Sequence, residues 1–83
     1  MATKQKLVLH MLTVMPPHNV NPEHAHEFDA RVLVTAGQMT ITTLGSATTF
    51  RPGEICAIPR GQVHAEAAGP EGASYVAGRL MPR

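Results

Sequence analysis

Short apolar runs alternate with clusters of proline, glycine and asparagine along the whole chain, and none keeps the 3.6-residue period of a helix. Residues 39–43 alternate apolar with polar side chains, which is typical of a half-buried strand. Residues 55–58 form a compact apolar run between the turn signals Pro52-Gly53 and Pro59-Arg60-Gly61. Strands at this spacing predict an all-β sandwich or barrel.

Further strands follow from the same pattern. The predicted strands are residues 6–14, 23–27, 31–35, 39–43, 48–51, 55–58, 63–67 and 73–79. Prolines remove a backbone donor and fix φ, so residues 15–22 predict irregular structure. Turns are predicted at residues 37–38, 45–46, 52–53, 59–61 and 69–72, where glycine or proline recurs.

Composition bounds the possible functions. The 83 residues predict one small domain, 1–83, and a domain of this size buries only ~60% of its unfolded surface. We therefore expect a metal or a partner subunit, most simply in a homodimer that covers apolar surface and sheet edges. A hydrophobic fraction of 43% with 16% charged residues argues against disorder. The net charge of +1 and the scattered basic residues predict no nucleic-acid and no membrane partner.

The single cysteine, Cys56, cannot form an internal disulfide, so a cytoplasmic location is expected. The apolar stretch near the N-terminus is interrupted by His10, Thr13 and Pro16, which argues against an export signal. Cys56 itself lies in an apolar run and is interpreted as a small buried hydrophobe.

Two histidines separated by one residue, His24 and His26, are the most distinctive local feature. Side chains two apart on a strand share a face, with Cα atoms roughly 6.5 Å apart, which lets two imidazoles hold one metal ion. A third histidine, His64, follows the turn at 59–61 and is predicted to join them. Three neutral imidazoles suit Zn²⁺, Fe²⁺, Mn²⁺, Ni²⁺ or Cu²⁺ and leave positions open for water or a substrate.

The fourth ligand is predicted from strand alternation. Glu66 lies two residues after His64 and is expected on the same face, as a ligand or as a general base. Water alone is the second choice. Glu27 and Asp29 have the opposite parity to the histidines and are poorer candidates. Phe28 has the same parity as His26 and is expected to wall the pocket.

Two spaced motifs resemble those of the cupin superfamily of small β-barrels. The second cupin motif, G-x5-P-x-G-x2-H-x3-N, is matched by Gly53, Pro59, Gly61 and His64, with Ala68 at the asparagine. The first, G-x5-H-x-H-x3,4-E-x6-G, is matched by His24, His26 and Gly37, with His18 at the leading glycine and Ala30 at the glutamate. The missing glutamate is normally the fourth metal ligand of the family.

The resemblance implies an antiparallel jelly-roll (cupin) barrel with His24, His26 and His64 as metal ligands inside its mouth. It is compatible with a metal-dependent enzyme on a small organic molecule, such as an oxygenase, isomerase or lyase. A non-catalytic module that binds a small ligand or a metal is the second possibility. A metal-free structural or dimerisation barrel, with the histidines as hydrogen-bonded core, is the third. The sequence leaves the choice open.

Overall fold

Seven strands make up the structure, a computed structural model that describes residues 5–9 and 12–82. They are β1 (Gln5–Leu9), β2 (Thr13–Met15), β3 (Val20–His24), β4 (Asp29–Thr43), β5 (Ser46–Phe50), β6 (Ile55–Ile58) and β7 (His64–Pro82). Every pairing between them is antiparallel, which confirms the all-β prediction. The described part of the chain contains no helix that could cross a bilayer.

The two long strands, β4 and β7, pair with each other from Asp29↔Leu80 to Thr42↔Ala65. Strands β1, β2 and β3 add to the free side of β7, and β5 and β6 add to the free side of β4. The register shifts near the middle of the long pair, between Val34 and Ala36 and again between Gly37 and Met39. These shifts divide the sheet into a half with β1, β2 and β6 and a half with β3 and β5.

Two glycines allow the long strands to bend at the same level. Gly37 has φ +69° and Gly72 has φ +81°, values that side chains with a β-carbon adopt only with strain. A β-carbon on Gly37 would overlap the carbonyl oxygen of Gly72. One on Gly72 would lie 2.6 Å from the carbonyl oxygen of Met15. The backbones therefore pack directly on one another at the bend.

The hydrophobic core lies between the two halves and draws on both. Its buried members are Met15, Ala30, Val32, Val34, Met39, Ile41, Cys56, Ile58, Ala68 and Ala73, with Phe28, Phe50 and Tyr75 packed against them. Val34 and Met39 are 0% exposed, and burying a side chain of this size contributes about 1.5–3 kcal/mol. Cys56 is buried as predicted, and burial raises the pKa of its thiol, which makes it unreactive.

The bends correct two predictions. The turns predicted at residues 37–38 and 69–72 are wrong, because these glycines lie inside β4 and β7 and only bend them. The tight turn after β4 is at Leu44 and Gly45, one residue before its predicted place, and both have positive φ.

The N-terminal predictions also need correction. Residues 20–22 are not irregular, because β3 begins at Val20 and includes Pro22; this strand pairs only with β7, and an edge strand tolerates a missing donor. The strand predicted at 23–27 ends already at His24. The one predicted at 6–14 is divided into β1 and β2, and the intervening His10 and Met11 lie outside the described residues.

Candidate metal centre

The three histidines reach one point from two strands and a loop. His24 is the last residue of β3 and pairs directly with His64, the first residue of β7. His26 lies in the loop after β3 rather than on the strand, so a loop and not strand alternation places its ring. The amide of Gly61 donates to the carbonyl oxygen of His26 at 2.8 Å, which fastens this loop to the turn that precedes His64.

The rings are close enough to share one ion. The nearest nitrogen atoms of His24, His26 and His64 all lie within 4.8 Å of one another. Ring centroids are 4.9 Å apart for His24 and His26, 4.3 Å for His24 and His64, and 5.1 Å for His26 and His64. His64 is 1% exposed, and the other two are half-buried.

Backbone carbonyls fix the tautomers of two rings. His24 Nδ1 lies 2.8 Å from the carbonyl oxygen of Pro22, and His64 Nδ1 lies 3.0 Å from that of Gln62. A carbonyl oxygen only accepts, so both Nδ1 atoms carry the hydrogen and Nε2 is the nitrogen of each ring whose lone pair can bind an ion. The structure provides no hydrogen-bond partner for the buried Nε2 of His64.

Glu66 adds a carboxylate at the same point. Its Oε1 lies 3.2 Å from Nε2 of His24 and 4.0 Å from Nε2 of His64, and the residue is only 7% exposed. The bare lone pairs and the carboxylate all carry negative potential, so their approach requires a positive charge between them. A proton on His24 would satisfy that contact but would leave Nε2 of His64 unpartnered. A single metal ion would satisfy all of them.

The pKa of His26 is shifted by its surroundings. Burial lowers the pKa of His26 below its usual 6.5, and the nearby rings of His24 and His64 lower it further, whereas Glu66 raises it. The ring is therefore neutral at pH 7 and available as a ligand.

The centre opens into a cavity of about 350 Å³. The residues that line it are Thr13, Asn21, His24, His26, Phe28, Ala30, Val32, Ile58, His64, Glu66, Tyr75, Ala77, Gly78 and Arg79. Burial raises the pKa of the Tyr75 hydroxyl, and Glu66 raises it further, so Tyr75 is a neutral hydrogen-bonding group. Ala30, at the family's glutamate position, leaves Glu66 as the one carboxylate among the described lining residues.

Arg79 is a cavity residue that sequence reasoning missed. Its guanidinium carbon lies 4.2 Å from the centroid of the Phe28 ring, and Phe28 in turn stacks on His26 at 4.7 Å with 21° between the planes. Phe28 thus walls the pocket as predicted, although both Phe28 and His26 lie in the loop after β3 and not on a strand. Strand alternation from Glu66 would place Arg79 on the outer face, because the residue numbers 66 and 79 differ by an odd number and residues on one face of a strand differ by an even number. The bend at Gly72 reverses that parity.

The structure brings together all four residues predicted as the metal site, and their roles as ligands or base stay predictions. The two poorer candidates lie elsewhere. Glu27 is exposed, and Asp29 accepts a hydrogen bond at 2.8 Å from the amide of Arg60.

Comparison with known proteins supports the fold. No curated protein matches the sequence at a significant level. A conserved protein of unknown function from Streptococcus pyogenes superposes with a TM-score of 0.81 at 21% identity, covering 96% of this chain and 68% of its own. KdgF from a Halomonas species gives 0.81 at 19% identity, covering 99% and 74%. The polyketide cyclase RemF from Streptomyces resistomycificus gives 0.74 at 28% identity, covering 92% and 54%.

These likenesses, together with the antiparallel strand pairing, confirm the predicted jelly-roll fold. The family model described as "Cupin domain" matches residues 11–77, most of the chain and both histidine motifs. The chain therefore belongs to the cupin family.

Proposed function

We propose that this protein binds one divalent transition metal ion through His24, His26 and His64, and that it acts on a small organic molecule in the adjoining cavity. The observation that carries the proposal is Nε2 of His64, which is buried, unpartnered and aimed at the other donors. A buried polar atom without a partner costs about 1–3 kcal/mol, and a bound ion removes that cost.

The donor set fits such an ion. The two carbonyl-bonded Nδ1 atoms hold the rings of His24 and His64 in the tautomer that exposes Nε2, as outer partners of metal ligands usually do. Glu66 supplies either a fourth ligand or a carboxylate beside the ion. Three imidazoles with one carboxylate accommodate Zn²⁺, Fe²⁺, Mn²⁺, Ni²⁺ or Cu²⁺, so the donors do not select one ion.

A bound ion would act as a Lewis acid toward an oxygen atom of the small molecule. The chain's own residues would do the rest. Glu66 can hold or accept a proton beside the ion, and the neutral hydroxyl of Tyr75 can donate a hydrogen bond. The apolar side chains of Ala30, Val32 and Ile58 exclude water from one side of the cavity. The name of RemF, a polyketide cyclase, supports the idea that this fold can serve an enzyme on an organic substrate.

A non-catalytic binding module is the second candidate, and one observation favours it. Glu66 is the single carboxylate in the described cavity lining and lies close to His24. If Glu66 ligates the ion, the described lining offers no other carboxylate to move a proton. Metal and ligand binding without turnover would then be the whole function. A cytoplasmic location also remains a proposal, based on the single buried cysteine.

The test is metal analysis of the full chain. Protein purified without chelator is reconstituted separately with each of the five ions, dialysed, and analysed for metal per chain. We expect about one ion per chain and a higher melting temperature in the loaded form, because a ligand that binds only the native state stabilises it. Reconstituted protein that retains no ion after dialysis would contradict the proposal.

A further inference from the structure

We infer that the small molecule taken by this cavity is an organic anion whose carboxylate pairs with Arg79 while another of its oxygen atoms faces the three histidines. This inference rests on the proposed metal function for the second contact only. The contact with Arg79 exists with or without the ion.

The first argument is the unpaired charge of Arg79. Among the residues that the structure describes, no carboxylate forms an ion pair with this guanidinium, although it lines the cavity. The one carboxylate of the lining, Glu66, lies against His24 and His64 instead. A guanidinium presents several donors in a fixed plane and matches a carboxylate with two parallel hydrogen bonds.

The second argument is that Arg79 is held in place. Its guanidinium stacks on Phe28, and Phe28 stacks on His26, so the ring of one proposed ligand fixes the position of the cation. A pre-positioned group loses little rotational freedom when it binds its partner. The same stack separates Arg79 from the histidines by an aromatic ring, so the ligand must offer two separate polar groups.

The third argument is the charge balance of the loaded cavity. A divalent ion and Arg79 bring three positive charges, and Glu66 brings one negative charge. A ligand with a carboxylate lowers this excess of positive charge. A neutral ligand leaves the excess uncompensated in a partly buried cavity, which is unfavourable. The apolar side chains among the lining residues suit a short carbon body.

The experiment compares two probes of nearly the same shape, one with a carboxylate and one with a neutral amide in its place. Salicylate and salicylamide are titrated into the metal-loaded and the metal-free full chain, with binding followed by NMR and metal content measured in parallel. We expect salicylate to bind about ten- to a hundredfold more tightly, the range that a hydrogen bond to a charged group contributes. In Arg79→Gln the acid-to-amide ratio, which is the affinity for salicylate divided by that for salicylamide, should fall to near one. The metal content should be unchanged.

Two further variants complete the test. Arg79→Lys should recover part of the ratio, and Arg51→Gln, which removes an exposed arginine outside the cavity lining, should leave it intact. A wild-type ratio near one, or a ratio that survives Arg79→Gln, would overturn the inference. Absence of metal alone would count against the proposed function and not against Arg79, because the metal-free titration still reports the acid-to-amide ratio.

Discussion

The two halves of β7 supply the cavity with opposite chemistry. The half before Gly72 contributes His64 and Glu66, which form a set of electron-pair donors for a cation. The half after Gly72 contributes Tyr75 and Arg79, which are hydrogen-bond donors for an anion or a neutral oxygen. One strand thus contributes to both the proposed cation site and the proposed anion site, and substitutions on the two halves should have separable effects.

His64→Ala should have the largest effect. It removes the most buried proposed ligand, so we expect at least a hundredfold loss in metal affinity and loss of the metal-dependent rise in melting temperature. His18→Ala, which removes an exposed histidine outside the cluster, is the matched control and should bind metal like wild type. Equal metal retention in the two variants would remove the distinction between the halves of β7.

Glu66→Gln should have an intermediate effect. The amide keeps the shape of the side chain but loses the charge beside His24, so metal affinity should fall about ten- to a hundredfold. Competition with a chelator measures the change, and Glu27→Gln at an exposed carboxylate is the control. A fall as large as that of His64→Ala would identify Glu66 as a direct ligand. No change would exclude it from the site.

The pH dependence of the metal-free protein should give the smallest effect. The pKa of His26 is lowered in the folded state, so between 6.5 and that lowered value the unfolded chain binds more protons than the native one. This contribution to stability is present above pH 6.5 and is lost as pH falls through that window. Melting temperatures of wild type and His26→Gln should therefore converge as the solution is acidified. Parallel curves from pH 7 to 5 would show that His26 contributes nothing.

The sequence predicted one half of the cavity better than the other, and strand geometry explains why. His24, His26 and His64 stand in spaced motifs, and Glu66 lies two residues from His64 on an unbroken stretch of strand, where alternation holds. Arg79 lies beyond Gly72, where the inward positions change from even to odd numbers. No local sequence pattern predicts this switch of the inward-facing positions, because a glycine within a strand cannot be told from a glycine in a turn by sequence alone.

The two misplaced turns also lie at glycines inside the long strands. The sequence predicts turns at Gly37 and Gly72 because glycine usually interrupts a strand, yet the pairing of β4 with β7 continues beyond both residues. The partner strand bends at the same level and keeps the chain extended. The contact between Gly37 and Gly72 joins residues far apart in sequence, so a local pattern does not reveal it. The placement of His26 by a loop, through the amide of Gly61, was equally invisible to an argument from strand periodicity.

The close backbone contact between Gly37 and Gly72, where both long strands bend, affects the shape of the cavity. Because His64 and Arg79 belong to one strand that bends near Gly72, the backbone curvature there helps to set the distance between the proposed cation site and the proposed anion site. The length of a ligand that could reach both proposed sites therefore depends on this bend. A bulkier residue at either glycine would reshape the chamber as a whole, while leaving every donor atom in it chemically intact.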